Sequence, residues 1–215
     1  MPSLLSNKWT KVPVFVLCLT PFGILVWKAL TGNLGPDPVA TLQHTTGDWT
    51  LRFLVLTLCV TPLRKLLRLP ELIRFRRMLG LFAFFYACCH FLVYLGPDQN
   101  FSLAAMLKDV GKRPFITVGF TAFVLLIPLA LTSTAGWIRR LGGRRWQILH
   151  RAIYISAVCG VIHYYWLVKS SIYRPAAYGV IVGVLLVWRL VSWLLRRNRA
   201  VPGTVANTQR ASANS

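Results

Sequence analysis

RRWQILHRAIYISAVCGVIHYYW, residues 144 to 166, is an apolar run that carries two of the chain's four histidines, His150 and His163. Apolar segments of about 17 to 25 residues span a hydrocarbon layer roughly 30 Å thick. Thirteen positions at about 1.5 Å per residue separate the two imidazoles by roughly 20 Å along a helix. The stretch therefore predicts a transmembrane helix with one histidine near each membrane face.

The rest of the chain matches that solvent. Its 215 residues are 55% hydrophobic and only 14% charged, with a mean hydropathy of +0.56, whereas a soluble domain carries about 25% charged residues. Runs of spanning length occur at 13–30, 49–66, 78–95, 114–132, 148–168 and 176–195. The expected fold is all-α, an integral membrane six-helix bundle over 13–195, with a cytoplasmic N-terminal segment at 1–12 and a disordered cytoplasmic tail at 196–215. Arg52 and Pro62 shorten the second run, and Pro21 and Pro128 are expected to kink the first and fourth. The first run continues through Trp27, Lys28 and Ala29 without a small-residue cleavage site, so it reads as a retained helix.

A net charge of +20 in a soluble protein would suggest nucleic acid, but here its distribution excludes that partner. Basic residues crowd at Lys8 and Lys11, at 64–77, at 139–151 and at 196–210, whereas Asp37, Asp48, Asp98 and Asp109 fall on the opposite side. The positive-inside rule then places both termini in the cytoplasm. The connections, expected as loops at 31–48, 67–77, 96–113, 133–147 and 169–175, are too short to hold a folded domain. No G-x-G-x-x-G occurs, so the chain lacks a nicotinamide site of its own. The cysteines form no C-x-x-C pair, and Tyr86 stands where a covalent C-x-x-C-H haem site would need its first cysteine.

The topology sets the histidines in register. His90 in the third run and His163 in the fifth share the outer level; Arg76 and His150 share the inner one. Two imidazoles at one depth on facing helices are the axial set of a six-coordinate b-type haem. Arg76 and His90, fourteen positions apart, lie on nearly one stripe, while His150 and His163 miss a common stripe unless their helix is distorted. Arg77 and Arg151 are further candidates for propionates. His44, in DPVATLQHTTG, reads as a loop or interface residue, and Phe82, Phe84, Phe85, Tyr86, Tyr164, Tyr165 and Trp166 as aromatics around the outer site. Buried histidines can also be plain interhelical hydrogen-bonding residues. A cofactor-free transporter would be expected to carry intramembrane carboxylates, of which none lies well inside a run; a stand-alone ferric reductase-like haem oxidoreductase also fits the pattern.

The strings GPDPVATLQHTTG (35–47), LIRFRRMLGLFAFFYACCH (72–90), KRPFITVG (112–119), LALTSTAGWIRRLGGRRWQILHRAIY (129–154) and VIHYYWLVK (161–169) together resemble the MsrQ family. These are haem-binding membrane subunits of bacterial periplasmic methionine-sulfoxide reductase systems, and they group with the ferric-reductase-like transmembrane domains of NADPH oxidases. The resemblance implies an inner-membrane, multi-pass protein holding one or two haems b, with FMN also described for the family. It implies electron flow from a cytoplasmic flavin reductase or quinol to a separate periplasmic molybdopterin subunit that reduces methionine sulfoxide in oxidised proteins. In the oxidase relatives each of the two haem-bearing helices carries two histidines, whereas Arg76 stands here in place of the fourth. Arg139 to Arg145 offer phosphate-compatible charge for FMN.

Overall fold

The computed structural model describes residues 8–168 and 172–199; residues 1–7, 169–171 and most of the expected tail, 200–215, lie outside them. Among the described residues every regular element is helical. The α-helices are, in chain order, α1 (Lys11–Leu30), α2 (Pro38–Leu66), α3 (Ile73–Val93), α4 (Leu103–Lys112), α5 (Pro114–Leu131), α6 (Ala135–Leu141), α7 (Gly143–Leu149), α8 (Ala152–Leu167) and α9 (Tyr173–Arg199), with short helical turns at Lys8–Thr10, Pro70–Leu72 and Tyr94–Asp98. Four stretches, Lys11–Leu30, Pro70–Pro97, Pro114–Leu131 and Tyr173–Leu195, are long and apolar enough to cross a membrane. The second and fifth expected spans exist as helices but fall short of that measure for different reasons. α2 is long, at 29 residues, but includes Gln43, His44, Asp48, Arg52, Arg64 and Lys65. α8 has only 16 residues, because the run 148–168 is interrupted at His150 and Arg151, where α7 ends and α8 begins.

Every expected loop contains some helix: α3 already begins at Ile73 within 67–77 and α9 at Tyr173 within 169–175, and the other three are occupied more fully. The segment 31–48 ends at Asp37, whose carboxylate accepts the Ala40 N–H at 2.9 Å and so caps α2, with Pro38 in the first turn. An N-cap Asp followed by proline is a strong start signal, and it puts Gln43, His44 and Gly47 on a helix. Ser102 likewise caps α4 inside 96–113, and α6 and α7 occupy most of 133–147. The turn between these two is made at Gly142, whose φ of 72° is strained for residues with a Cβ.

Two prolines inside helices leave backbone groups that neighbouring helices satisfy. Next to Pro21 in α1, the Tyr86 hydroxyl from α3 accepts the Phe22 N–H at 3.0 Å and donates to the Cys18 carbonyl at 3.0 Å. It stands in the ladder position that a direct Phe22-to-Cys18 bond would fill. In α2, Pro62 has no N–H for the Leu58 carbonyl, and Arg189 Nη2 from α9 donates to that oxygen at 3.1 Å. Arg189 also bonds the Tyr154 hydroxyl of α8 and lies over its ring, so this intramembrane cation ties three helices together. The core runs through Leu54, Leu58, Phe82, Ala83, Tyr86, Leu126, Ile153, Ala157 and Val182. Phe53 stacks on Phe82 and Tyr86 at 5.6 and 5.3 Å.

The site is positioned by two closely packed antiparallel pairs, α2 with α3 and α5 with α8. Between them, at the end where α2 and α5 begin and α3 and α8 finish, lies a cavity of about 650 Å³.

Candidate functional site

The cavity brings His90 of α3 and His163 of α8 together. Their ring centres are 6.2 Å apart and their planes nearly perpendicular, at 80°. Each ring is fixed by the partner helix of its own pair in the same way. His90 Nδ1 donates to the Gln43 carbonyl at 3.0 Å, and Gly47, one turn on, lets the ring lie against α2; a Cβ there would stand 3.0 Å from His90 Cε1. His163 Nδ1 donates to the Phe115 carbonyl at 2.7 Å, and a Cβ on Gly119, again one turn on, would stand 2.6 Å from His163 Nδ1. Carbonyl at i and glycine at i+4 share one helix face. Spending Nδ1–H on a backbone carbonyl selects the tautomer whose Nε2 lone pair is available to a metal.

The rest of the lining is largely apolar. Leu51, Leu54, Ala87, Ala122, Leu126 and Gly160 form its floor, and Phe91, Phe120 and Phe123 an aromatic wall. Phe91 and Phe123 stack at 4.8 Å, joining α3 to α5, and Ser156 clamps α8 to α5 by donating to the Ala122 carbonyl at 2.9 Å. Of the aromatics expected around the outer site, Tyr164 lines the cavity, whereas Phe82, Phe85 and Tyr86 do not line it and pack against α1 and α2. His44 is exposed at the rim.

Several features fit a haem. Imidazole nitrogen bonds a metal at about 2 Å and the ring centre lies about 1 Å behind it, so trans imidazoles have centres roughly 6 Å apart, close to the separation found. The Gln43 side-chain Oε1 is buried without a partner, and its Nε2 sits 3.5 Å from His90 Nε2. A two-imidazole donor set in an apolar slot suits a tetrapyrrole; among the described residues no cluster of three or more His, Cys, Asp or Glu could hold a bare ion.

The remaining expected site residues lie outside this cavity. His150 caps the end of α7; its Nε2 is 3.1 Å from the Thr132 hydroxyl, and Trp146 stacks on it at 3.9 Å while donating its indole N–H to the Thr132 carbonyl. The helix is interrupted between α7 and α8 at His150, so His150 and His163 do not lie on one continuous helix. Arg76 is half-buried and within electrostatic range of His150, and no second imidazole accompanies them in the contacts of His150. Arg77 and Arg151 are exposed, as are Arg139, Arg140, Arg144 and Arg145.

Sequence comparison agrees with the class that this geometry defines, a helical membrane electron carrier. A family model described as "Ferric reductase like transmembrane component" matches residues 46–161, which take in α3, α5 and most of α2 and α8. A curated protein of Herminiimonas arsenicoxydans, "Protein-methionine-sulfoxide reductase heme-binding subunit MsrQ", is 54% identical over 90% of this chain and 91% of its own length. Proteins of the same description from Ralstonia nicotianae and Caulobacter vibrioides are 47% identical over 94% and 96%, and 43% identical over 91% and 92%, of the two chains. The chain belongs to the MsrQ family of ferric reductase-like transmembrane proteins.

Proposed function

We propose that this chain is the haem-binding, electron-transfer membrane subunit of a protein-methionine-sulfoxide reductase system, with His90 and His163 as the axial ligands of one haem b. The observation that carries the reading is the matched seating of the two rings, 6.2 Å apart, each held by a carbonyl and a glycine of the neighbouring helix. When bound, haem supplies a one-electron iron couple. The protein's own residues present Nε2 from both sides, keep both rings in the ligating tautomer, and line the site with apolar and aromatic side chains that exclude water.

In this reading α1, α2, α3, α5, α8 and α9 all cross a bacterial inner membrane, with both termini in the cytoplasm. α2 is long enough: 29 residues at about 1.5 Å each extend roughly 44 Å. The excess of Lys and Arg at 64–77 and 139–151 supports the orientation, in which His90 and His163 lie toward the periplasm. Electrons arrive from a cytoplasmic flavin reductase or quinol and leave to a periplasmic molybdopterin subunit. His150, with Arg76 in range, marks the inner level of the path. Its one imidazole, with Nε2 bonded to Thr132, makes a less complete ligand set than the outer pair. FMN has no assigned role in this reading.

The test is a reduced-minus-oxidised visible spectrum of the purified full chain, with haem quantified per polypeptide. A six-coordinate b-type spectrum is expected. A colourless protein overturns the reading, and reduction by quinol alone, with none through a flavin reductase, removes the latter as donor.

A further inference from the structure

The charged groups around the cavity are unevenly committed. Asp37 caps α2 through the Ala40 N–H, where the helix N-terminus offsets its charge. Asp48 faces Arg52 at 3.7 Å and Arg174 at 4.0 Å. Arg113, between α4 and α5, is the single Arg or Lys among the described residues that line the cavity. Its Nε meets Asp109 Oδ1 at 2.9 Å, and the other carboxylate oxygen, Oδ2, accepts from the Tyr94 hydroxyl at 3.0 Å and lies 3.5 Å from Gln99 Nε2. Tyr94 itself lines the cavity and follows α3 directly. The guanidinium is therefore aimed by a carboxylate that is braced in turn from the ligand-bearing helix. Beyond Nε it carries four Nη hydrogens in a planar fork suited to a carboxylate.

We propose that Arg113, positioned by Asp109 and Tyr94, binds a carboxylate of the tetrapyrrole at the rim of the cavity and so fixes which edge of the macrocycle faces water. This rests on the haem reading above. It assigns the anion-binding role at this end of the bundle to a connection between helices, away from Arg77 and Arg151, which are exposed and outside the cavity.

The experiment titrates haem-depleted full-length protein in detergent with haem and with haem dimethyl ester, whose carboxylates are blocked, following the Soret band. Wild type is expected to prefer the free acid about tenfold or more. Arg113→Gln should lose most of that preference while binding the ester as wild type does; Arg113→Lys and Asp109→Asn should keep an intermediate preference. Equal affinity of wild type for the two compounds, or undiminished discrimination in Arg113→Gln, overturns the clamp and leaves the haem reading standing. If Arg113→Gln does not fold, wild-type discrimination in both Arg113→Lys and Asp109→Asn overturns it equally. Failure of wild type to give a six-coordinate spectrum with either compound overturns the haem reading itself.

Discussion

Gly119 and His163 touch so closely that no side chain fits between them: a Cβ on Gly119 would lie 2.6 Å from Nδ1 and 2.9 Å from Cε1 and Cγ of the imidazole. Gly47 and His90 repeat the relationship more loosely, at 3.0 and 3.2 Å. Both glycines therefore act on the seating of the two imidazoles proposed as ligands. Gly119→Ala is expected to push His163 off the Phe115 carbonyl and weaken haem binding about 10- to 100-fold, the usual cost of disturbing a ligand's support. Gly47→Ala should cost less, since 3.0 Å to the ring edge can be relieved by a small shift. Haem retained per polypeptide and the Soret line shape check the order.

His90→Ala and His163→Ala are each expected to abolish the six-coordinate spectrum. His150→Ala, Arg77→Ala and Arg151→Ala should keep it, because none of these residues lines the cavity. A visible and low-temperature EPR series would show a reversed pattern if the inner residues held the haem.

Tyr86→Phe removes the hydroxyl that bridges Phe22 and Cys18 next to Pro21. With two buried backbone groups left without this partner, the expected loss is about 1–3 kcal/mol. Reversible unfolding in mixed micelles should show it, with the spectrum of any folded fraction unchanged.

Arg189 and Pro62 should be coupled. Arg189→Met leaves the Leu58 carbonyl without its donor, whereas Pro62→Ala restores an N–H within α2. Arg189→Met is thus expected to destabilise the Pro62→Ala background less than wild type, with an interaction term of about 0.5–3 kcal/mol in a double-mutant cycle. Strict additivity would show that the proline is not why the arginine is there.

The six apolar runs marked where helices form, and depth arithmetic alone paired His90 with His163. The helical start of α2 is also encoded, in Asp37-Pro38, and it puts His44 on a helix where the expected loop gives it no register. Face assignment around α3 failed for a related reason. Ala87, His90 and Phe91 line the cavity, while Tyr86, one turn before His90, packs on Phe53 below it, and a list of nearby aromatics does not separate them. The ring anchors were hidden more deeply, because the acceptors are backbone carbonyls of Gln43 and Phe115 and carry no side-chain identity. What remained visible was QHTTG beside FITVG, each placing glycine four residues after the anchor within a spanning helix, where a glycine signals close approach.

The break between α7 and α8 also bears on how the two ends of the run are anchored. Because the fifth run is interrupted at His150 and Arg151, its first part is held by Trp146 and His150 at Thr132, while His163 is held separately at the Phe115 carbonyl. The two histidines of one apolar run are thus tied to opposite ends of the same neighbour, α5, by independent contacts.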